Sequence, residues 1–443
     1  MESRSALPVA VIGAGPAGLT TAILLAQKNW PVVVIDQQEP PIDKACGEGL
    51  MPPALQVLAR LGPLAELQQC GRSFDGISYH VPAATFARGN SGINQTGALM
   101  AAATFLSGAG LGVRRTRLSR WLYQQARQQP LIRFEIGRAD HYIRHSDHAI
   151  LEYTQPQDRS NRVRLACRYV IGADGLRSTA ARWIQPNQAK SRKARRNQQR
   201  WGLTVHCRGV PAPGKVMVHF SQGMEAYVTP LGSDEIGIAF LWYRSSFQPR
   251  GRSTITADLF ARFEELQQSL AIDSGPLAGW LDASLQAVGP LYTRRRAITA
   301  TGISLVGDAA GYVDAITGEG LNLALHSASL LADTLDRGLL LAATEGRLLN
   351  AQDLRQYTRA VNRLKFWPEL LTHGALLLSR RPVLQRAFVS CMQRQPYFFS
   401  QILNVNMGLA SGWQLCHWRY WPAILQLLFQ VVDRLASQLS RRG

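Results

Sequence analysis

The chain has 443 residues, 46% of them hydrophobic, which suffices for a large core and excludes a disordered polypeptide. Six scattered cysteines (Cys46, Cys70, Cys167, Cys207, Cys391, Cys416) form no CxxC pair, so neither a common zinc pattern nor a disulfide framework is expected, and no metal site; a reducing cytoplasm is the expected compartment. The net charge of +19 is almost all arginine, but no aromatic platform or groove-entering helix accompanies it, so nucleic acid is not an expected partner and the cluster at 191–200 reads as a solvated loop.

The first element is the run "VAVIGAGPAGLTTAILLAQKNWPVVVIDQ" at 9–37. No charge falls between Ser5 and Gln27, which raises a targeting segment as the alternative. Gly13, Gly15, Gly18 and Pro16 break the continuous backbone that a spanning helix needs, and no small-residue cleavage site follows. A strand–helix–strand unit accounts for every break. Val9–Ile12 is a buried strand, Gly13 turns out of it, Gly15 admits a diphosphate, and Gly18 lets the helix pack closely on the sheet. The helix starting near Gly15, through Pro16 and Ala17, points free N–H groups at that diphosphate, with Ala14 in the turn before it. Leu19, Ile23, Leu24 and Ala26 are expected to face the sheet; Asp36 closes the second strand, where it can accept from ribose hydroxyls.

Next, "KACGEGLMPPAL" at 44–55 combines glycines that let backbone approach a ligand with a double proline that announces a helix. A helix follows in "GVRRTRLSRWLYQQA" at 112–126, with Leu118, Leu122 and Ala126 as its core face. Two further strand–glycine–acid junctions come later. "RYVIGADGLRSTAAR" at 168–182 carries Asp174, and "ISLVGDAAGYVDAITGEGLNLALHSASLLADTL" at 303–335 carries Gly307-Asp308 before Gly318-Glu319-Gly320-Leu321-Asn322 opens a helix. Between them, alternating segments such as "KVMVHF" and "EIGIAFLW" read as strands of a substrate domain.

These three junctions together resemble the single-component FAD-dependent monooxygenases of the p-hydroxybenzoate hydroxylase type, and their relatives the geranylgeranyl reductases. The resemblance spans roughly residues 8–335. It implies that Gly13, Gly15 and Gly18 hold the FAD diphosphate, Asp36 the adenosine ribose, and Asp308 the ribityl chain or diphosphate. It puts the backbone of Gly318 to Asn322 against the isoalloxazine, where a helix N-terminus stabilises negative charge. It also implies an arginine near the flavin at the start of the 112–126 segment; by register this is Arg115, with Arg114 and Arg117 as competing choices. Geranylgeranyl reductases carry a cysteine–glycine segment similar to Cys46-Gly47, which makes Cys46 the one weak catalytic candidate beside a merely structural role.

Departures divide the two branches. Hydroxylases usually have a histidine after GDAA and a proline before the last glycine motif; Gly311 and Ala315 stand there, as in the reductases. Against the reductases, "MEAYVTPLGSDEIGIAF" at 224–240 lacks their tyrosine–tryptophan–phenylalanine pattern. The closing arginine of the Asp174 motif is displaced to Arg182, and no second GxGxxG offers a nicotinamide domain. The resemblance therefore implies FAD with NAD(P)H as a transient reductant, acting on a small lipophilic substrate: hydroxylation or epoxidation first, with saturation of alkenes, or electron transfer without catalysis, as alternatives.

The expected fold is α/β: a Rossmann-like FAD-binding domain with βαβ units (5–80, 111–185 and 296–345), interleaved with a β-sheet substrate domain (81–110 and 186–295). A C-terminal helical region (346–443) follows, with prolines at 368, 382 and 396 and an amphipathic basic end. That end is expected either to pack on the FAD domain or to make peripheral contact with a membrane, at its inner face.

Overall fold

Val9–Ile12, apolar and β-branched, is the pivot of a parallel sheet in a computed structural model that describes residues 7–88, 92–156, 162–185, 199–251, 253–270 and 285–422. Strand order across the sheet is Ile132–Ile136, Val32–Asp36, Val9–Ile12, Tyr169–Gly172, Ile303–Leu305 and an antiparallel edge, Thr299–Ala300. Val9 pairs with Val32 on one side and Tyr169 on the other. The chain thus leaves the first strand in one direction and later returns on its opposite side, which opens a crevice at the strands' carboxyl ends. Asp36, Asp174 and Gly307-Asp308 all follow strands of this sheet there. The α/β Rossmann-like architecture is as expected.

The fingerprint helix, Pro16–Ala26, departs from expectation. Every residue from Ala17 to Ala26 is buried, not only one face. The Gly320–Thr344 helix and the Arg115–Arg127 helix pack onto the sides that the sheet leaves free, so local periodicity could not reveal the burial.

A second, seven-stranded sheet runs Gln286–Val288, Arg200–Arg208, Glu235–Tyr243, Met224–Pro230, Val216–Ser221, Gly76–Val81 and Leu99–Thr104. All its pairings are antiparallel except that of Val216–Ser221 with Gly76–Val81. The expected division at 80/81 therefore falls inside a strand, because pairing with a segment about 140 residues later draws Gly76–Val81 into this sheet. Its outer face, with Val205, Ile238 and Phe240, is covered by the short helices Ile255–Phe260 and Glu264–Ser269. Its inner face, with Tyr79, Val218 and Tyr227, is covered by Phe398, Phe399 and Leu403 from the C-terminal helices.

Three tail helices, Arg355–Ser379, Pro382–Arg394 and Pro396–Asn406, bridge the two sheets. Pro382 and Pro396 each open a helix, where the missing N–H costs nothing, whereas Pro368 lies within the first. The first tail helix packs on Gly320–Thr344, and the other two on the seven-stranded sheet. No helix among the described residues is long and apolar enough to cross a membrane. The terminal amphipathic stretch at 423–443 and most of the arginine cluster, 191–198, lie outside the described residues.

Candidate active site

The three glycines of the fingerprint divide by what surrounds them. Gly13 has φ +107° and its missing Cβ would lie 2.5 Å from the Ala173 carbonyl oxygen; a Cβ on Gly18 would lie 1.9 Å from the Gly13 oxygen. Both are demanded by the protein's own packing. A Cβ on Gly15 meets nothing nearer than the Arg115 Nη2 at 4.0 Å. Gly15 therefore faces open space at the N-terminus of the Pro16–Ala26 helix, with Pro16 as its first residue. Asp36 accepts the Ala14 N–H at 2.7 Å through Oδ2 and the Gln38 N–H at 3.2 Å through Oδ1. Asp174 accepts the Thr179 N–H at 2.6 Å and the Ala180 N–H at 3.2 Å through Oδ2, while its buried Oδ1 has no partner among the described residues. Arg182 donates to the Thr179 hydroxyl at 2.8 Å, on its own helix.

Of the three candidate arginines, Arg115 alone reaches the crevice. Arg114 pairs with Glu235 at 2.8 Å, and Arg117 pairs with the same carboxylate at 3.2 Å. Arg115 is buried, its Nη1 has no partner among the described residues, and its backbone N–H donates to Glu48 Oε1 at 2.7 Å. Glu48 holds the whole 46–49 turn. It takes a left-handed φ of +60°, and its Oε2 meets His206 Nε2 at 2.8 Å. A side chain at Gly237 would fall 2.6 Å from that oxygen, so glycine there makes room for the pair.

Cys46 and Gly47 hang from the seven-stranded sheet through this turn. The Cys46 N–H donates to Thr204 Oγ1 at 3.2 Å, that hydroxyl donates to the Cys46 carbonyl at 3.1 Å, and the Thr229 hydroxyl donates to the Gly47 carbonyl at 2.7 Å. The Glu48 N–H points at Cys46 Sγ at 3.3 Å. Desolvation pushes the Cys46 thiol up to about 11, with the Arg115 charge opposing it and Glu48 adding to it. Gly47 has nothing within 4 Å of its absent Cβ.

The opposite wall is the stretch from Gly307 to Asn322. Gly307, with φ +61°, packs against Ala17 of the fingerprint helix, and its N–H donates to Ser327 Oγ at 3.2 Å. Asp308 sits above its ordinary carboxylate range because of desolvation, against the pull of Lys365, Arg115 and Lys44. Lys365, from the first tail helix, donates to the Ala310 and Gly311 carbonyls at 3.3 and 3.0 Å. Further on, Asp314 accepts Arg200 Nε at 2.9 Å, while Arg200 Nη2 reaches Glu225 at 2.6 Å. The Tyr227 hydroxyl donates to the Ile316 carbonyl. The inner face of the seven-stranded sheet thus grips this loop by a buried ionic network.

Gly318, with φ +71°, leads into Glu319, the residue before the Gly320–Thr344 helix. Glu319 is 3% exposed, and burial raises its carboxyl to about 8. Asn322 donates to it at 2.7 Å and Asn406 of the third tail helix at 3.0 Å; Asn322 also reaches the Met407 carbonyl at 3.2 Å. Leu321 is half-buried on the parallel-sheet core. Sequence reasoning missed Glu48, His206, Thr204, Arg200, Glu225 and Asn406. Glu48, Arg200 and Glu225 lie in stretches already singled out, but their partners His206, Asp314 and Arg200 lie 25 to 158 residues away, and Arg200, at the end of the cluster expected to be a solvated loop, is buried.

The crevice fits a dinucleotide. Open space before Gly15 at a helix N-terminus, Arg115 Nη1 and Asp174 Oδ1 without protein partners, and the strand ends around them are the features such a group needs. Among the described residues, no group of three His, Cys, Asp or Glu side chains is arranged to hold a metal ion.

Comparison with known proteins gives the family. The chain is 25% identical over 348 residues to a menaquinone reductase of Mycolicibacterium smegmatis, covering 74% of this chain and 76% of that protein. It is 25% identical over 332 residues to a digeranylgeranylglycerophospholipid reductase 3 of Methanosphaera stadtmanae, covering 72% and 74%. A solved flavoprotein/dehydrogenase of Cytophaga hutchinsonii shares the fold with a TM-score of 0.74 at 15% identity, covering 97% of this chain and 99% of that one. A family described as FAD binding domain matches residues 6–360, so the chain belongs to that family and is an FAD-dependent oxidoreductase.

Proposed function

We propose that the protein saturates carbon–carbon double bonds in a lipophilic, isoprenoid-chain substrate, with NAD(P)H as the transient reductant. The observation that carries this reading is the placing of Cys46: its backbone is held to Thr204 in both directions, in the turn whose Glu48 accepts the Arg115 N–H, and desolvation keeps the thiol protonated. Saturation adds a hydride to one alkene carbon and a proton to the other. Bound FAD, once reduced, supplies the hydride. Cys46 gives the proton, Arg115 stabilises the thiolate left behind, and water restores the thiol. Thr204 and Glu48 fix the turn so that the thiol keeps its place.

In the same reading Gly13, Gly15 and Gly18, the helix N-terminus and Arg115 hold the diphosphate, Asp36 the ribose, and Asp308 the ribityl side. The backbone of Gly318 to Asn322 would hold the flavin ring, where a helix N-terminus favours negative charge. Tyr79, ringed by Phe220, Phe388 and Phe399 at 4.8–6.4 Å, offers an apolar bed for an isoprenoid chain. Two relatives are named as reductases, one of menaquinone and one of digeranylgeranylglycerophospholipid, and both names denote polyisoprenoid molecules. Gly311 and Ala315 support the geranylgeranyl reductase side of the resemblance over the p-hydroxybenzoate hydroxylase side.

A second reading, oxygen insertion into the same class of substrate, is favoured by that aromatic bed under the tail helices, which keeps water from a reactive flavin. Anaerobic turnover of a polyisoprenoid quinone in heavy water separates the two. We expect loss of one carbon–carbon double bond from the isoprenoid chain, with solvent deuterium on at least the protonated carbon, and loss of turnover with retained FAD in Cys46→Ala. A product that requires oxygen and gains one oxygen atom overturns the reductase reading.

A further inference from the structure

We propose that the outer face of the first tail helix, together with the loop at 412–421, docks on an anionic bilayer surface. This goes beyond the reaction and does not depend on which chemistry the crevice performs. Phe366, Leu370 and Leu377 follow helical spacing on one face of Arg355–Ser379 and are 52–58% exposed. Trp413, Trp418 and Trp421 are 60–74% exposed, the largest apolar side chains left uncovered among the described residues. Trp413 joins the loop to the helix: it stacks edge-on against Trp367 at 5.7 Å, and Trp367 against Phe366 at 5.0 Å, while Trp418 and Trp421 follow on the same short loop. Gly412 lies so close beneath Trp367 that a Cβ would come within 2.2 Å, which seats the loop on the helix.

Charge selects the occupant. Exposed Arg359 and Arg363 stand on the same face at one end of the apolar stripe, and exposed Arg381 at the other, beside Arg380, whose guanidinium stacks 4.0 Å over the Tyr243 ring. From Arg355 to Pro422 there are nine Arg and Lys and a single acid, Glu369. Glu369 is half-buried and lies near enough to Lys365 for their charges to act on one another. A second copy of this face would bring like charges together, whereas an anionic lipid surface matches them. Tryptophan, apolar with one polar N–H, is the side chain that settles at the headgroup boundary. A surface of this kind binds in the plane of the interface without spanning it.

The test is flotation of the full-length, FAD-loaded protein with vesicles of equal parts phosphatidylglycerol and phosphatidylcholine, and with phosphatidylcholine alone. We expect salt-sensitive binding to the anionic vesicles only. Arg359→Gln with Arg363→Gln should weaken it about thirtyfold, since each basic residue near such a surface is worth roughly 1 kcal/mol, and Trp418→Ala with Trp421→Ala should weaken it about tenfold or more through lost apolar burial. Unchanged flavin absorbance in both variants shows that folding is intact. The proposal is overturned if the protein stays in solution at low salt, or if both variants float as well as the parent. It is overturned as well if the tryptophans instead drive dimerisation in sedimentation, or retention of an oligonucleotide, without vesicle binding.

Discussion

The two ends of the crevice are made of different materials. At the Gly15 end the protein presents backbone: a helix N-terminus, tight glycines and strand ends. At the Glu319 end it presents buried ionisable side chains, held from the seven-stranded sheet and the tail: Glu48 with His206, Arg200 with Glu225 and Asp314, Glu319 with Asn322 and Asn406. A backbone-made surface is indifferent to most substitutions and intolerant of an added side chain. A charge-made surface has the opposite sensitivities, responding to single polar changes and to pH.

Substitutions at the glycines should break the first end most sharply. Gly18→Ala must push a methyl group into the Gly13 carbonyl, and we expect it to yield little folded protein by circular dichroism. Gly15→Leu has free space around its Cβ, so it should fold yet be isolated without FAD, read from the visible spectrum. A yellow Gly15→Leu protein would contradict the reading of that end.

Next in size is the ionic network. Glu225→Ala strips a carboxylate from Arg200, which is 4% exposed and keeps only Asp314. Breaking a buried pair typically costs about 3–5 kcal/mol, and chemical denaturation should show a loss of that order. A loss under about 1 kcal/mol would mean that water enters and relieves the guanidinium.

Glu319 sharpens the contrast through pH. Its carboxyl titrates near 8 in the folded protein and near 4.5 when unfolded. The folded state therefore holds a proton that the unfolded state has released, and stability falls as pH rises from about 4.5 to about 8. At roughly 1.4 kcal/mol per pKa unit the effect is a few kcal/mol. Glu319→Gln should flatten this slope and leave the protein more stable than its parent at pH 8; an unaltered slope would show that Glu319 is not its source.

The smallest effect concerns Cys46. With its thiol pushed up to about 11, it should react with iodoacetamide at pH 8 much more slowly than exposed Cys416, followed by peptide mass. Equal rates would remove the argument that Cys46 stays protonated.

The same contrast explains what was legible in the sequence. Strand, glycine and acid lie within a few residues of one another at the two later junctions, and within one strand–helix–strand unit of under 30 residues at the first, so local pattern alone indicated the parallel sheet and Gly13, Gly15 and Gly18. Arg115 was reachable by helical register, but only Glu235, about 120 residues away, shows why Arg114 and Arg117 are occupied elsewhere. Glu48 and His206 are 158 residues apart, and Glu319 and Asn406 are 87 apart. No periodicity links such pairs, because three-dimensional packing chooses them. The division expected at 80/81 failed for the same reason, through the pairing of Gly76–Val81 with Val216–Ser221.

The contact between Asn406 and Glu319 also sets an order in time. During synthesis the Gly15 end has all its parts once Asp308 has left the ribosome, whereas the Glu319 end waits for Asn406 and Met407, about 100 residues later. At roughly 5–20 residues per second the interval is about 5–20 s. If the Gly15 end takes the nucleotide half of FAD as proposed, a nascent chain meets that half before the opposite wall exists, and the last of the three described tail helices completes that wall.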